Sequence, residues 1–311
     1  MQTLMRQNLV ADSLARLEIG PAVRTELLEM VPLLSTNGHA PAEPGYDLAG
    51  AAFSAGTLRV TEVSEGGTVP FLQVENAGPR PVLLLDGEEL IGAKQNRVLN
   101  VTVLLAAKTV TKVPVSCVEA GRWAYRARAF KDAEWLMASE GRARKMRRVD
   151  ESLRRGSKVG DQGDVWNYVA EKAARMDAPS DTSAHAALYE KHRESMDREI
   201  ARLEPVANQV GAVFAARGRI TGLELFDTPQ PLRTMFPKLV RSHAADALDR
   251  QLHLPHVAND AAEFLAMVSA LAERQVDGVG LGKEVRLEGE TLVGSGLAVE
   301  DRLVHLSVLV G

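Results

Sequence analysis

A series of short β-branched segments between residues 46 and 120 constrains the fold more than any other feature of this sequence. Apolar and polar residues alternate within these segments, and clusters of Gly, Asn and Pro separate them. Side chains on a strand point alternately to opposite faces, so this pattern predicts half-buried strands. Strands at intervals of about 8–12 residues indicate an antiparallel β-sandwich or a barrel-like sheet. The predicted strands are 58–63, 69–75, 81–86, 98–105 and 110–118.

The remainder of the chain mixes helical and strand patterns. Pro21, followed by apolar residues at helical spacing, predicts a short helix over 21–35. We therefore expect an α+β protein with a β-rich N-terminal half, a helical insert and a mixed α/β C-terminal part. Further helices are predicted over 161–176, 183–204, 237–252 and 258–274, and further strands over 210–216, 220–226, 284–287, 292–299 and 303–310.

The same patterns divide the 311 residues into four parts. An N-terminal helix and linker are expected over 1–45, because Gly and Pro interrupt regular structure just before residue 46. A β-rich domain covers 46–125, and a basic and helical insert covers 126–205. A mixed C-terminal part covers 206–311, and its strands are candidates to rejoin the first sheet.

The charge is distributed unevenly along the chain. The net charge is −4, from 37 basic and 41 acidic residues, so no overall positive field attracts nucleic acid, which is not an expected partner. Within 122–158, however, 12 basic residues face five acidic ones, a balance of +7. The arginines and lysines of 142–158 have no aromatic residues among them, so base stacking is not indicated. A solvated or flexible linker is the preferred interpretation of 142–158.

Targeting and metal signals give only broad expectations. Asp12, Arg16 and Glu18 interrupt any N-terminal apolar run, and no apolar run approaches the ~18 residues that span a bilayer. A cytoplasmic location without a membrane partner is therefore expected. The single cysteine, Cys117, excludes an internal disulfide and a Cys-rich zinc site. The common metal and hydrolase motifs do not occur, so no metal site is predicted, and the cofactor and oligomeric state stay unknown.

The segment 86–100 has the most unusual composition in the chain. It concentrates charged and amide side chains between two apolar strands, with Gly87 and Gly92 as pivots. Lysine and arginine hold phosphate or carboxylate groups, and glutamine and asparagine both donate and accept hydrogen bonds. The segment is therefore interpreted either as a ligand-binding loop or as a polar surface connection. Its polar side chains are Glu88, Glu89, Lys94, Gln95, Asn96, Arg97 and Asn100.

A second polar segment, 113–123, follows on the next predicted strand. Cys117 is flanked by valines, so we interpret it as a small buried apolar residue in preference to a nucleophile. Glu119 shares a strand face with buried residues and must be paired, most plausibly with Arg97, Lys94 or Arg122, or else act as an acid or base. The paired structural role is preferred.

The histidines give no metal signal. His185 and His192 share one face of a predicted helix but lie about two turns, ~10.5 Å, apart, which is too far for one metal ion. Exposed helix histidines are the preferred interpretation. His305 stands alone in an apolar strand and is interpreted as a core residue with satisfied hydrogen bonds.

Two of these segments carry a family resemblance. The run over 87–100, followed by 113–123, resembles an uncharacterised bacterial family named for its association with ADP-ribosylglycohydrolases and the rhodanese-phosphatase superfamily. The resemblance covers about 46–311. It implies a setting in NAD or ADP-ribose metabolism and no particular reaction, so no catalytic role is carried over. Weaker similarities lie at 162–166, 220–226 and 304–306.

The sequence therefore supports two main hypotheses, and nucleic-acid contact through 142–158 is a third and weaker one. In the first, the protein binds or processes a phosphorylated, nucleotide-like small molecule, with Glu88 and Glu119 as candidate acid or base groups. In the second, it is a non-catalytic scaffold or protein-interaction module, and the same side chains form a buried polar network. Whether it is an enzyme stays open. The candidate ligand-binding residues are Lys94, Gln95, Asn96, Arg97, Asn100 and Arg122.

Overall fold

Antiparallel sheets dominate the fold, and helices pack against them, which confirms the α+β class. The computed structural model describes residues 8–36, 43–64 and 70–311. Residues 37–42 of the expected linker, and Val69 at the start of a predicted strand, lie outside the described residues. No helix within the described ranges is long and apolar enough to cross a membrane. The cytoplasmic location stays a prediction.

The first half of the described chain is built mainly from strands. In chain order its elements are α1 (Leu9–Leu14), β1 (Leu17–Ile19), β2 (Val23–Arg24), β3 (Leu28–Ser35), β4 (Asp47–Leu48), α2 (Ala49–Ser54), β5 (Leu58–Glu62), β6 (Phe71–Asn76), β7 (Val82–Leu84), β8 (Glu88–Gly92), β9 (Arg97–Leu99), β10 (Val103–Leu105), β11 (Thr109–Cys117) and β12 (Phe130–Leu136).

Helices and strands alternate in the second half. Its elements are α3 (Ser139–Leu153), α4 (Gln162–Arg175), α5 (Ala186–Lys191), α6 (Arg193–Ile200), β13 (Gln209–Ala216), β14 (Arg219–Phe226), α7 (Pro229–Leu248), α8 (Ala261–Ala270), β15 (Ala272–Asp277), β16 (Lys283–Glu288), β17 (Leu292–Val299) and β18 (Arg302–Val310).

A six-stranded sheet has the order β12-β8-β9-β11-β6-β5, and a small three-stranded sheet has the order β10-β7-β4. The strands of both sheets lie in the predicted β-rich region except β12, which falls in the predicted basic and helical insert. The alternation in the sequence is explained by burial. Leu58 and Val60 of β5 and Leu72 and Val74 of β6 point into one apolar core with Val113 of β11. This agreement follows from the period-two pattern, which marks one face of each strand for the core.

The nine-stranded sheet joins the two ends of the chain. Its order is β1-β3-β13-β14-β18-β17-β16-β15, with β2 paired to β3. The C-terminal strands therefore extend the N-terminal strands. The C-terminal part pairs with the β-rich region through an isolated β-bridge between Leu281 and Leu104. The two segments that carry the family resemblance therefore lie in the other large sheet.

The helix predicted over 21–35 is wrong, because this segment forms β2 and β3. Leu28, Met30 and Leu33 of β3 are buried, and Met30 faces Phe214 of β13 across an antiparallel pair. The hydrogen bonds of a strand partner nearly 200 residues away outweigh the local helical spacing. The four-part division stays a prediction. In its N-terminal part, the six residues of α1 are helical, and strands replace the predicted helix.

The expected linker over 142–158 is also wrong, because most of it belongs to α3. Helix α3 lies against β17 and β18, and its Arg142 and Lys145 side chains are fully buried. Both cations have buried acidic partners, Glu224 and Asp86 respectively. The local excess of positive charge is therefore neutralised inside the fold by carboxylates from other parts of the chain. The helix predicted over 258–274 is shorter than expected, because α8 ends at Ala270 and β15 begins at Ala272.

Candidate functional site

The structure divides the predicted site residues among several environments. Seven of the eight are buried, and Lys94 is half-buried. Gln95, Asn96, Glu119 and Arg122 come together in one polar network, which we call the Glu119 cluster. Arg97 borders this cluster, donating to Gln95 Oε1 at 3.1 Å and lying 3.6 Å from Glu62 Oε1. Glu88 and Asn100 contact other groups, and Lys94 lies at the surface beside exposed aromatic rings.

The Glu119 cluster connects the ends of the two polar segments. Arg122 donates to Glu119 Oε2 at 2.5 Å and to Asn96 Oδ1 at 3.2 Å. The Asn96 backbone N–H donates to the same Glu119 oxygen at 3.1 Å, and Thr182 donates to Oε1 at 2.8 Å. Gln95 donates to the backbone carbonyl of Glu119 at 2.9 Å. The expected pairing of Glu119 with Arg122 is therefore confirmed.

These contacts keep Glu119 in its charged form. Burial alone would raise the pKa of the Glu119 carboxyl, but hydrogen bonds from Arg122, Thr182 and the Asn96 backbone outweigh burial and hold the pKa below its ordinary value. A carboxylate that is ionised at neutral pH has no proton to give, so the geometry favours Glu119 as an anchor for Arg122 over Glu119 as a general acid.

Replacing Glu119 by glutamine is expected to lower the free energy of unfolding by about 1.5–3 kcal/mol near neutral pH, because the charge-assisted hydrogen bonds are lost. A depressed pKa contributes stability that is present above the unfolded-state pKa and is lost as pH falls through the folded-state pKa. Urea unfolding of wild type and Glu119→Gln should therefore converge under acid. Glu134→Gln, at an exposed ion pair, is the control. A pH-independent difference would contradict this account.

A second buried group surrounds Glu89. Its Oε2 lies 2.8 Å from His185 Nδ1 and accepts from the Trp135 indole at 2.8 Å, while Asn96 donates to Oε1 at 3.4 Å. The expectation of an exposed His185 is wrong, because His185 is buried against Tyr189 and this carboxylate. Sequence reasoning missed this group because the partners of Glu89 lie as far as 96 residues away.

Asn100 belongs to a buried ionic group at the other end of the first polar segment. Its side-chain oxygen accepts from Ser116 at 2.8 Å, and its backbone carbonyl accepts from Lys145 at 3.3 Å. Lys145 also forms a short contact with Asp86. Burial lowers the pKa of Lys145, and the Asp86 carboxylate opposes this effect. Asn100 therefore helps to hold the six-stranded sheet against α3.

Glu88 is bridged to another carboxyl group by a lysine of α7. Lys238 donates to Glu88 Oε1 at 2.9 Å and to Asp132 Oδ1 at 2.6 Å. Burial, followed by the nearby charge of Glu88, raises the pKa of Asp132 to about 6. The bridge ties β8, β12 and α7 together. It is separate from the Glu119 cluster, so the two predicted acid or base groups do not share one site.

Lys94 of the first segment, Trp123 at the end of the second, and the following residues Tyr125 and Arg126 form what we call the aromatic rim. Trp123 and Tyr125 are each 49% exposed. The Lys94 ammonium lies 5.3 Å from the centre of the Trp123 ring and 5.2 Å from that of Tyr125. Behind them, the Arg97 guanidinium carbon lies 5.8 Å from the Trp123 ring. The rim therefore combines half-exposed aromatic rings with positive charge.

The rim is attached directly to the Glu119 cluster. The Arg126 backbone N–H donates to the Ala93 carbonyl at 3.0 Å, and its guanidinium lies 3.7 Å from Glu119 Oε1. Arg122 donates to the same Ala93 carbonyl at 2.7 Å. The buried cluster thus fixes both the loop that carries Lys94 and the loop that carries the aromatic rings, and the rim is positioned from below.

Sequence reasoning overlooked Tyr125, Arg126 and Arg128 and treated Trp123 only as the end of a motif. A usable signal was present, because residues 120–131 contain four basic residues, three aromatic residues and no acidic residue. Aromatic residues interleaved with arginine are the pattern that stacking surfaces for bases require. Residues 142–158, by contrast, contain basic residues without aromatic ones.

Cys117 is confirmed as a buried residue of β11. Burial raises the pKa of its thiol, which disfavours a nucleophilic thiolate. Gln162 of α4 binds the Cys117 backbone on both sides, accepting from the N–H at 2.7 Å and donating to the carbonyl at 2.8 Å. His305 is buried, with Thr102 3.3 Å from its Nδ1. Across the described ranges, no three His, Cys, Asp or Glu side chains are grouped to hold a metal ion.

Comparison with known proteins gives one match. A family model described as the ARG and Rhodanese-Phosphatase-superfamily-associated Protein domain matches residues 16–309, nearly the whole chain. None of the curated proteins and none of the solved structures matches this chain. The match includes both polar segments and the aromatic rim.

Proposed function

We propose that this chain, which belongs to the family of ARG and rhodanese-phosphatase-superfamily-associated proteins, binds a nucleotide-like small molecule on the aromatic rim. The proposal concerns binding and assigns no reaction. The association in the family name suggests ADP-ribose or NAD as the first ligands to test. The observation that carries the proposal is the pair of half-exposed rings, Trp123 and Tyr125, with the Lys94 ammonium close to both.

Two aromatic faces beside cations match the two parts of a nucleotide. A base stacks on an exposed ring, which is worth about 1–3 kcal/mol per base. The phosphate is attracted by the charges of Lys94 and Arg126, and Arg126 also lies 3.7 Å from the Glu119 carboxylate.

The buried residues of the motif have a supporting role in this proposal. Glu119 and Arg122 hold the loops in place, and Asn96 and Gln95 complete their hydrogen bonds. A preformed arrangement of this kind reduces the entropy lost when a ligand binds. Of the predicted ligand-binding residues, Lys94 is the one with a half-exposed side chain, and Gln95, Asn96, Arg97 and Arg122 act through the position of the rim. Asn100 belongs to the separate group around Lys145.

The variant Arg126→Ala is expected to bind ADP-ribose about tenfold or more weakly than wild type, because a charge-assisted hydrogen bond to phosphate is worth about 1.5–3 kcal/mol. Arg154→Ala is the matched control, because the Arg126 and Arg154 side chains are 58% and 60% exposed and each faces a carboxylate. Isothermal titration of wild type and both variants checks this prediction. Equal affinities for the two variants would contradict it.

A thermal-shift panel of ADP-ribose, NAD, ADP and AMP tests binding itself. A ligand at about ten times its dissociation constant stabilises the folded state by about 1.4 kcal/mol, which corresponds to a rise in Tm of roughly 3 °C for a protein of this size. No shift with any of the four at millimolar concentration would refute the proposal for this ligand class.

The alternative function is that of a non-catalytic scaffold or interaction module. The burial of seven predicted site residues favours it, because satisfied buried networks also serve to fix a fold. The aromatic rim then covers part of a protein partner. The two functions differ in the nucleotide panel, since a scaffold shows no stabilisation by nucleotides.

A further inference from the structure

Two carboxylates share one lysine where α7 packs on the six-stranded sheet. The Lys238 ammonium donates to Glu88 Oε1 of β8 at 2.9 Å and to Asp132 Oδ1 of β12 at 2.6 Å. The side chains of Glu88, Asp132 and Lys238 are 2%, 20% and 12% exposed. The two carboxylates therefore lie beside one ammonium, away from most of the solvent and close enough to repel each other. With all three groups ionised, this triad carries one net negative charge.

The surroundings of Asp132 leave that charge without a second cation. The elements packed against β12 are β8, α7, α2 and β5. Helix α2 has no charged side chain and contributes Gly50, where a Cβ would lie 3.1 Å from Asp132 Oδ2. The other titratable or charged side chains of these elements and of β12 are exposed, namely Arg59, Lys131 and Arg233, or lie beside other partners, namely Glu62 with Arg97, Glu89 with His185, Glu134 with Arg193, Arg241 with Asp197, His243 with Glu224 and Asp246 with Lys172.

Asp132 is the member of the triad that takes up a proton. Glu88 Oε2 accepts from the Leu85 backbone N–H at 2.8 Å, in addition to the contact of Oε1 with Lys238. In the part of the chain that the structure describes, the Asp132 carboxylate accepts from Lys238 alone. Hydrogen bonds to a carboxylate favour its charged form, so the carboxylate with fewer of them is protonated first. In agreement, burial and then the Glu88 charge raise the pKa of Asp132 to about 6.

Helix α7 lies between the two large sheets, so its attachment matters to the whole fold. It packs on β12 of the six-stranded sheet and on β13 and β14 of the nine-stranded sheet. Near β12, Arg241 donates to the Glu134 carbonyl at 2.9 Å and Ser242 donates to the Met137 carbonyl at 2.7 Å. These groups do not titrate near neutral pH. The triad is therefore the part of this attachment whose charge changes there.

We propose that Glu88, Asp132 and Lys238 form a proton-sensitive link between α7 and the six-stranded sheet. As the pH falls from neutral, the triad takes up one proton, its net charge disappears, and α7 is held more tightly. As the pH rises, Asp132 becomes charged, repels Glu88 and loosens the link. This inference is independent of nucleotide binding on the aromatic rim.

Urea unfolding of wild type and Asp132→Asn at pH 8 and pH 5 tests this proposal. A group whose pKa is raised by folding adds stability as the pH falls through its folded-state pKa towards its unfolded-state pKa. The folding equilibrium constant of wild type, relative to that of Asp132→Asn, is therefore expected to rise about tenfold from pH 8 to pH 5. Asp197→Asn removes the half-exposed carboxylate that pairs with Arg241 of α7 and is the matched control, with an expected change of about twofold or less.

An equal relative equilibrium constant at pH 8 and pH 5 would overturn the proposal, and so would the same rise for Asp197→Asn. Carbon-13 NMR of the aspartate carboxyl groups in wild type gives a second measurement that needs no variant. One of these carboxyl groups is expected to titrate near pH 6. If no aspartate carboxyl titrates between pH 5 and pH 7, the proposal is also overturned.

Discussion

Replacement of Arg142 by methionine is expected to destabilise the protein by about 3–5 kcal/mol, the range for breaking a buried ion pair by removing one partner. Arg142 is fully buried and donates to Glu224 Oε1 at 2.5 Å and to Ser307 Oγ at 2.9 Å. Without the guanidinium, the Glu224 carboxylate stays in the core beside His243 and His305, whose rings lie 3.7 and 3.6 Å away.

The electrostatic reason is visible at Glu224. Burial alone would raise its pKa, but Arg142 and the two histidines hold the pKa well below its ordinary value. Gly87 makes room for the arginine, since a Cβ there would lie 2.7 Å from Arg142 Cδ, and its φ of 87° also favours glycine. The side chain therefore joins the first polar segment, α3 and the nine-stranded sheet.

Urea unfolding measures this effect. Arg154→Ala, at an exposed pair with Glu288, is the control and is expected to change the unfolding free energy by about 1 kcal/mol or less. The double variant Arg142→Met with Glu224→Leu should recover most of the loss, because both buried charges are then removed. A loss below about 1 kcal/mol in Arg142→Met would show that Glu224 finds another partner.

Removal of either ring of the aromatic rim is expected to have the largest effect on binding. Trp123→Ala and Tyr125→Ala should each weaken ADP-ribose binding by about 5- to 150-fold, which corresponds to about 1–3 kcal/mol of stacking. Both rings are half exposed, so the unfolding free energy should change by about 0.5 kcal/mol or less. Isothermal titration and urea unfolding measure the two quantities.

Val110→Ala provides the control for these ring variants. Val110 is 58% exposed on β11, so its truncation removes exposed apolar surface outside the rim. We expect its affinity for ADP-ribose to equal that of wild type. Ring variants that bind as tightly as Val110→Ala would show that the rings do not contact the ligand.

The sequence predicts β5, β6, β9 and β11 of the six-stranded sheet because these strands carry their own signals, whereas β8 was interpreted as part of a polar loop and β12 as part of a helical insert. Alternation in 58–63 and 110–118 marks a buried face without reference to the rest of the chain. The strand β3 was missed because its burial depends on pairing with β13, and α3 was expected as a linker because its cations find partners elsewhere. Information of that kind is not local.

The same distinction holds for the candidate site. Pairing of Glu119 with a nearby cation was predicted from the sequence, with Arg122 as one of three candidates, whereas the contact of Glu89 with His185 spans 96 residues and was not predicted. The local sequence also does not predict which of these side chains are exposed. Lys94 is half-buried, but Gln95, Asn96 and Arg97 next to it are buried, because the strands and loops that cover them come from distant segments.

Tryptophan fluorescence tests most directly whether a nucleotide binds on the aromatic rim. The chain has three tryptophans, and Trp135 is buried while Trp123 is half exposed on the rim. Titration with ADP-ribose is predicted to quench wild-type emission saturably. In Trp123→Phe the quenching should disappear while the thermal shift persists, because phenylalanine still stacks. Unquenched wild-type emission, or equal quenching in Trp123→Phe, would contradict the assignment of the rim as the binding site.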